Sequence, residues 1–160
     1  MASTLGCDVA PEEPRYAPRP VVVVACGGRE LAWEPGAVRT ALLAAVSCRW
    51  VLALFHGGAR GADQLVECQA QALGWPVRKR RAEWSRLGMA AGPIRNQATL
   101  EEAGGLAHRD GAELLVLAFP GGRGTASCIR EARQWHRFSG GEVRMQLLQL
   151  AERIEASTRS

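Results

Sequence analysis

Aromatic residues are scarce in this chain, at 6 % of its 160 positions, with a single tyrosine. A groove for single-stranded nucleic acid needs aromatic stacking platforms beside its cations. The one concentrated basic run, "RKRR" at 78–81, has no aromatic residue inside it. Other absences narrow the reading further. No Cys-x-x-Cys pair occurs among the five cysteines, Cys7, Cys26, Cys48, Cys68 and Cys128, and ligand-spaced Cys/His clusters are missing, so no metal is expected. No apolar run approaches the roughly 20 residues that a membrane span needs. The amino terminus lacks a basic region followed by an apolar stretch, so no signal peptide is expected. An odd cysteine count, with most thiols inside apolar or helical patterns, points to buried, reduced thiols and a cytoplasmic protein. The formal charge of +4 favours anionic partners without demanding one.

What is present is alternation. "VVVVAC" (21–26), "WVLALF" (50–55) and "ELLVLAF" (113–119) are apolar at nearly every position. Strands of that kind are buried on both faces, as in a parallel sheet covered by helices. Helical spacing lies between them, at Val38, Leu42, Ala45 and Val46, then at Leu65, Cys68, Ala72 and Leu73. A third helix opens at Pro93, and a fourth runs from about Thr125 to Phe138 with Cys128, Ala132 and Trp135 on one face. "PVRKRRA" (76–82) reads as a charged edge strand. Val143, Met145 and Leu147 alternate as a fifth strand would, while Leu147, Leu150, Ala151 and Ile154 fit a helix equally well.

The expected fold is therefore α/β: a single doubly wound, Rossmann-like domain with a mostly parallel sheet of about five strands in the order 3-2-1-4-5. The expected organisation is a flexible, proline-rich arm over 1–19, the domain over 20–148 and a polar tail over 149–160.

Each of the three apolar strands is followed by a Gly-Gly pair: Gly27–Gly28, Gly57–Gly58 and Gly121–Gly122. In the proposed order these loops lie side by side at the carboxyl ends of strands 1, 2 and 4, beside the switch point where open α/β sheets bind ligands. Glycine permits close backbone approach, successive N–H groups form anion nests, and the following helices present free N–H groups. A phosphate-bearing ligand is the expectation. "PGGRGT" at 120–125 would cup the phosphate, with Pro120, Gly121, Gly122, Arg123 and Gly124 forming the loop and Thr125 as cap or hydroxyl contact. It is neither a Walker loop, since "GKS" and "GKT" are absent, nor the G-x-G-x-x-G dinucleotide fingerprint.

Four motifs in register, "CGGRE" (26–30), "HGGARGAD" (56–63), "AEWSRLGMAAGPIRN" (82–96) and "FPGGRGT" (119–125), resemble the YspA-like (cpYpsA-related) branch of the SLOG superfamily. That superfamily includes the lonely-guy phosphoribohydrolases and the DNA-processing protein DprA. The resemblance covers about residues 20–148 and implies binding of a nucleotide or an NAD-derived molecule such as ADP-ribose. It names a homodimer among the expected assemblies, although the residues themselves leave the oligomeric state open. The lonely-guy enzymes carry P-G-G-x-G-T-x-x-E. Here Cys128 stands at the glutamate position and Arg95 matches the enzymes' arginine. The binding half of that site is retained and the catalytic half altered, which puts phosphoribohydrolase activity in doubt and leaves the catalytic residues unassigned.

Individual residues carry two readings each. Arg95, at the start of the third helix, is either a phosphate clamp or the partner of an internal acid. Asn96 binds a sugar hydroxyl or bridges loops. Asp63 opens the second helix, as a structural first-turn residue or a ribose ligand. Arg60, beside Gly61, and Arg123 sit within glycine loops and would together hold a diphosphate, with Arg29 a weaker third. Trp84 is a plug for its loop or an aromatic wall for a base. His56 ends a strand as a core histidine or a general base. The expected function is a nucleotide-binding sensor or effector domain. A hydrolase acting on an N-glycosidic or phosphate linkage is the alternative, with Asp63 and Glu83 as its carboxylates. Single-stranded DNA binding ranks third.

Overall fold

A computed structural model describes residues 18–139 and 143–147, so the expected arm and tail lie almost wholly outside the described residues. The elements run β1 (Val21–Cys26), α1 (Pro35–Val46), β2 (Val51–His56), α2 (Ala62–Ala72), β3 (Val77–Lys79), α3 (Trp84–Leu87), α4 (Ala91–Arg109), β4 (Glu113–Ala118), α5 (Arg123–Ser139) and β5 (Val143–Leu147). Four parallel strands stand in the order 3-2-1-4, as the alternation predicts, and β5 pairs parallel to β4 beyond them.

The valine run of β1 explains the sheet's central position. Val21, Val23 and Ala25 point into one apolar layer with α1 and α2, while Val22 and Val24 point into another with α4. Val21, Val22 and Val23 are fully buried, and burying each such side chain contributes roughly 1.5–3 kcal/mol. β4 divides in the same way, Leu115 and Leu117 to the first layer and Leu114 and Val116 to the second. The pairing of β1 with β2 shifts register between Val21↔Val51 and Val22↔Ala53, which takes up Leu52 as an extra residue and restores the alternation.

Helix faces agree with the pattern in α1, where Val38, Leu42, Ala45 and Val46 are buried. In α2 the buried apolar row is Ala62, Val66 and Ala70, not the row through Cys68 and Ala72. Two small alanines and a valine suit the close approach to the sheet, and Cys68 is exposed. Cys48 is also exposed, so among the described cysteines the expectation of burial holds for Cys128 alone, with Cys26 half-buried, and Cys7 lies outside the described residues. α4 begins at Ala91, two residues before the expected start. Pro93 still lies in the first turn, where a missing N–H breaks no helical bond.

β3 is short and its charges are spent locally. Arg78 and Arg80 both pair with Glu102 of α4, and Lys79 Nζ lies 2.8 Å from Glu67 of α2. The charged-edge reading of this run describes it well. No helix among the described residues is long and apolar enough to cross a membrane.

Candidate functional site

The sheet order brings the ends of β2, β1 and β4 side by side, and their glycine loops meet. Gly28 N–H donates to the Pro120 carbonyl at 2.9 Å, and Ala62 N–H to the Gly28 carbonyl at 3.0 Å. The contact leaves no space for side chains. A Cβ on Gly121 would lie 2.5 Å from the Gly28 nitrogen and 2.1 Å from Thr125 Oγ1. Gly28 and Gly121 are thus required by loop-on-loop packing, whereas a Cβ on Gly122 would meet open space.

Beside these loops lies a cavity of about 920 Å³. Its walls include Gly27, Gly28, Arg29, Gly57, Arg60, Asp63, Trp84, Arg95, Asn96, Gly122, Arg123, Gly124 and Thr125, all named from the sequence. Gly58, Gly61, Pro120 and Gly121 are not on its surface. Gly58 takes φ +70° and its N–H donates to His56 Nδ1 at 3.1 Å, while Gly61 takes φ +76° against the Arg29 and Gly28 carbonyls. Those two glycines shape the second loop from behind.

Several loop N–H groups are therefore already engaged. The open set is at α5. Its first residue is Arg123, so Thr125 lies inside the first turn and does not cap the helix as expected. The first N–H groups of a helix have no partner within it. Thr125 and Ser127 are each 6 % exposed, both line the cavity, and neither Oγ1 of Thr125 nor Oγ of Ser127 has a hydrogen-bond partner among the described residues. Buried hydroxyls are nearly always bonded. Ser127 escaped the sequence reading because no motif position marks it; its helical offset from Gly122 was the available signal.

Arg95 pairs with no described acid, which corrects the ion-pair reading. Its Nη1 donates to the Gly57 carbonyl at 2.7 Å and to the Arg80 carbonyl at 3.3 Å, and its Nε donates to Asn96 Oδ1 at 2.9 Å. Asn96 thus orients the guanidinium and is itself buried. Nη2 carries no hydrogen bond among the described residues, and Arg95 lines the cavity.

Asp63 is buried in the first turn of α2 and accepts the Ala59 N–H at 3.0 Å. Burial pushes its carboxyl above the ordinary range, against that N–H bond and the nearby charges of His56 and Arg95. It is a structural first-turn residue whose side chain also borders the cavity. Glu83, the other carboxylate named from the sequence, is exposed, bonded to Arg86 and away from the cavity wall. Arg60 is exposed and paired with Glu30 at 2.8 Å, a surface pair of little energy. Arg123 is exposed at the rim.

Trp84 opens the short α3 and does not lie in a loop. It is 50 % exposed, and its ring edge lies over Gly92 of α4, where a Cβ would stand 3.2 Å from it. Arg29 lies 5.8 Å from its ring centre. His56 is fully buried with Nδ1 accepting from Gly58, so its proton sits on Nε2, facing Glu67 Oε2 at 3.5 Å without the alignment of a hydrogen bond. Burial holds its pKa below the ordinary value, with Lys79 and Arg95 acting in the same direction.

An α/β domain with a cavity at the carboxyl ends of its central strands is a ligand-binding class of fold. Residues 21–87, from β1 through α3, match the model of the YspA, cpYpsA-related SLOG family. That match supports a likeness to the YspA-like SLOG branch over this segment. The Gene 61 protein of Mycobacterium phage D29 is 37 % identical over 94 residues, which cover 52 % of this chain and 65 % of that protein. The chain thus spans just under two thirds of the relative's length.

Proposed function

We propose that this chain is a cytoplasmic nucleotide-binding sensor or effector domain, with a ligand of the ADP-ribose, NAD or nucleoside-phosphate kind. The observation that carries the proposal is the start of α5, where two buried hydroxyls without partners stand beside free helix N–H groups in the cavity. A phosphate oxygen is the acceptor those donors lack, and the helix dipole favours its charge. The free Nη2 of Arg95 supplies a charged donor to the same group. Trp84 at the rim offers a face to a base, and Asp63 an acceptor to ribose hydroxyls. The volume suits a ligand of this size, since small-molecule sites span about 300–1,000 Å³. The likeness to the SLOG family over β1–α3 supports nucleotide-related binding at the same coarse level.

The hydrolase alternative has one observation in its favour, the buried carboxyl of Asp63 at the cavity wall. Glycosidic chemistry usually needs a second placed carboxylate. Glu30, also at the wall, is exposed and held by Arg60. Nucleic-acid binding loses support from the β3 charges, which are engaged by Glu67 and Glu102.

Native mass spectrometry of protein purified without added nucleotide tests the reading. A co-purifying mass that carries phosphate and is lost from Arg95→Ala supports it. Retention of the same mass by Arg95→Ala places the ligand elsewhere.

A further inference from the structure

The nucleotide reading leaves two side chains of the cavity unused. Cys26 is the last residue of β1, paired in register with Ala118 of β4, and Cys128 lies on the inner face of α5. Both line the cavity, Cys26 half-buried and Cys128 only 3 % exposed. The two side chains lie close enough that each is the largest influence on the other's protonation. They come from elements separated by most of the domain, yet they meet beneath the loops where a small molecule has access. The other two described cysteines, Cys48 and Cys68, are on the surface.

We propose that Cys26 and Cys128 are a reversible oxidation site, a dithiol that hydrogen peroxide converts to a disulfide in the cavity floor. The environment divides the roles. The Cys26 side chain beside it holds the Cys128 thiol below its ordinary range, ahead of the opposing effect of burial, and Arg95 acts in the same direction. The Cys128 side chain, followed by burial, pushes the Cys26 thiol well up. Cys128 is then the attacking sulfur and Cys26 the resolving one. In the first step the Cys128 thiolate attacks one peroxide oxygen. The O–O bond breaks, the departing hydroxide takes a proton from solvent, and Cys128 becomes a sulfenic acid. In the second step Cys26 sulfur attacks Cys128 Sγ, the S–O bond breaks, and the oxygen leaves as water with the Cys26 proton. Two thiols and one peroxide give one disulfide and two waters. An added dithiol reverses the change by exchange. None of this depends on what else the cavity binds.

The test uses the full chain with Cys7, Cys48 and Cys68 changed to serine, treated with peroxide, alkylated and mapped under non-reducing conditions. The expected result is a Cys26–Cys128 cross-linked peptide that disappears on treatment with dithiothreitol. Adding Cys26→Ser should leave Cys128 as a sulfenic acid that dimedone traps, and adding Cys128→Ser should leave Cys26 unmodified. Absence of the cross-link, its formation only after unfolding in urea, or unchanged oxidation of Cys26 in the Cys128→Ser protein would overturn the proposal. Wild-type protein mapped in parallel shows whether the cross-link forms when Cys48 and Cys68 are present to compete; exclusive pairing with those surface thiols counts against it.

Discussion

Arg95 donates through Nη1 to the Gly57 carbonyl at 2.7 Å, and a methyl group on Gly57 would stand 1.8 Å from that same nitrogen. The first glycine of the "HGG" loop is therefore a seat for the guanidinium. It lets α4 hold a charged fork against the end of β2. The close approach that the glycine permits is thus made by a side chain of the protein itself.

Gly57→Ala should act like a mutation of Arg95. The methyl meets the far end of a flexible side chain, so the arginine moves and the fold survives. Charged hydrogen bonds are worth roughly 1.5–3 kcal/mol. Calorimetry should show AMP affinity lowered about ten-fold or more in both Gly57→Ala and Arg95→Ala, with cooperative unfolding retained in each. Undiminished affinity in both variants would make the arginine a purely structural bridge.

The strand order was legible because β1, β2 and β4 are apolar at almost every position, a pattern that a sheet exposed on one face does not produce. α2 was misread because its buried row, Ala62, Val66 and Ala70, is less apolar than the alternative through Leu65 and Leu73. Small residues are chosen there by the distance to the sheet, which a hydrophobicity pattern does not record. At the site, the glycine loops announced themselves by composition. The orphaned Ser127 hydroxyl and the Cys26–Cys128 contact did not, because each depends on where α5 starts and how it turns over β1. The partners of Arg95 were also hidden, since main-chain carbonyls leave no mark in a sequence.

His56 makes stability depend on pH with a definite sign. Asp63, Glu67, Lys79 and Arg95 surround it, and burial dominates, so its folded pKa lies below the ordinary 6.5. As pH falls through that value the unfolded chain binds a proton that the native imidazole refuses. Stability present above it is therefore lost on acidification. His56→Asn keeps an acceptor for the Gly58 N–H and removes the titration. Melting temperatures measured between about pH 7.5 and about pH 5.5 should fall less steeply for His56→Asn than for the wild type. Parallel profiles would mean that His56 titrates alike in both states.

Base release from nucleoside monophosphates should not exceed the uncatalysed background. Cys128 stands where the resembled enzymes place glutamate, and its buried thiol has no carboxylate charge to offer an oxocarbenium ion. Chromatographic assay of wild type, Cys128→Glu and Asp63→Asn checks this. Wild-type turnover abolished by Asp63→Asn would instead make this domain a hydrolase with Asp63 as its acid or base.

The central claim is that the start of α5 receives a phosphate. Titration calorimetry of AMP, ADP-ribose and adenosine against wild type and Thr125→Val tests it most directly. Valine keeps the shape of Thr125 and removes a hydroxyl that has no partner among the described residues, so the melting temperature should not fall. AMP and ADP-ribose should bind the wild type at least about ten-fold more tightly than adenosine does, the equivalent of one charged hydrogen bond or more, and that preference should shrink in Thr125→Val. Adenosine binding as tightly as AMP, or a phosphate preference unchanged by Thr125→Val, would contradict the account.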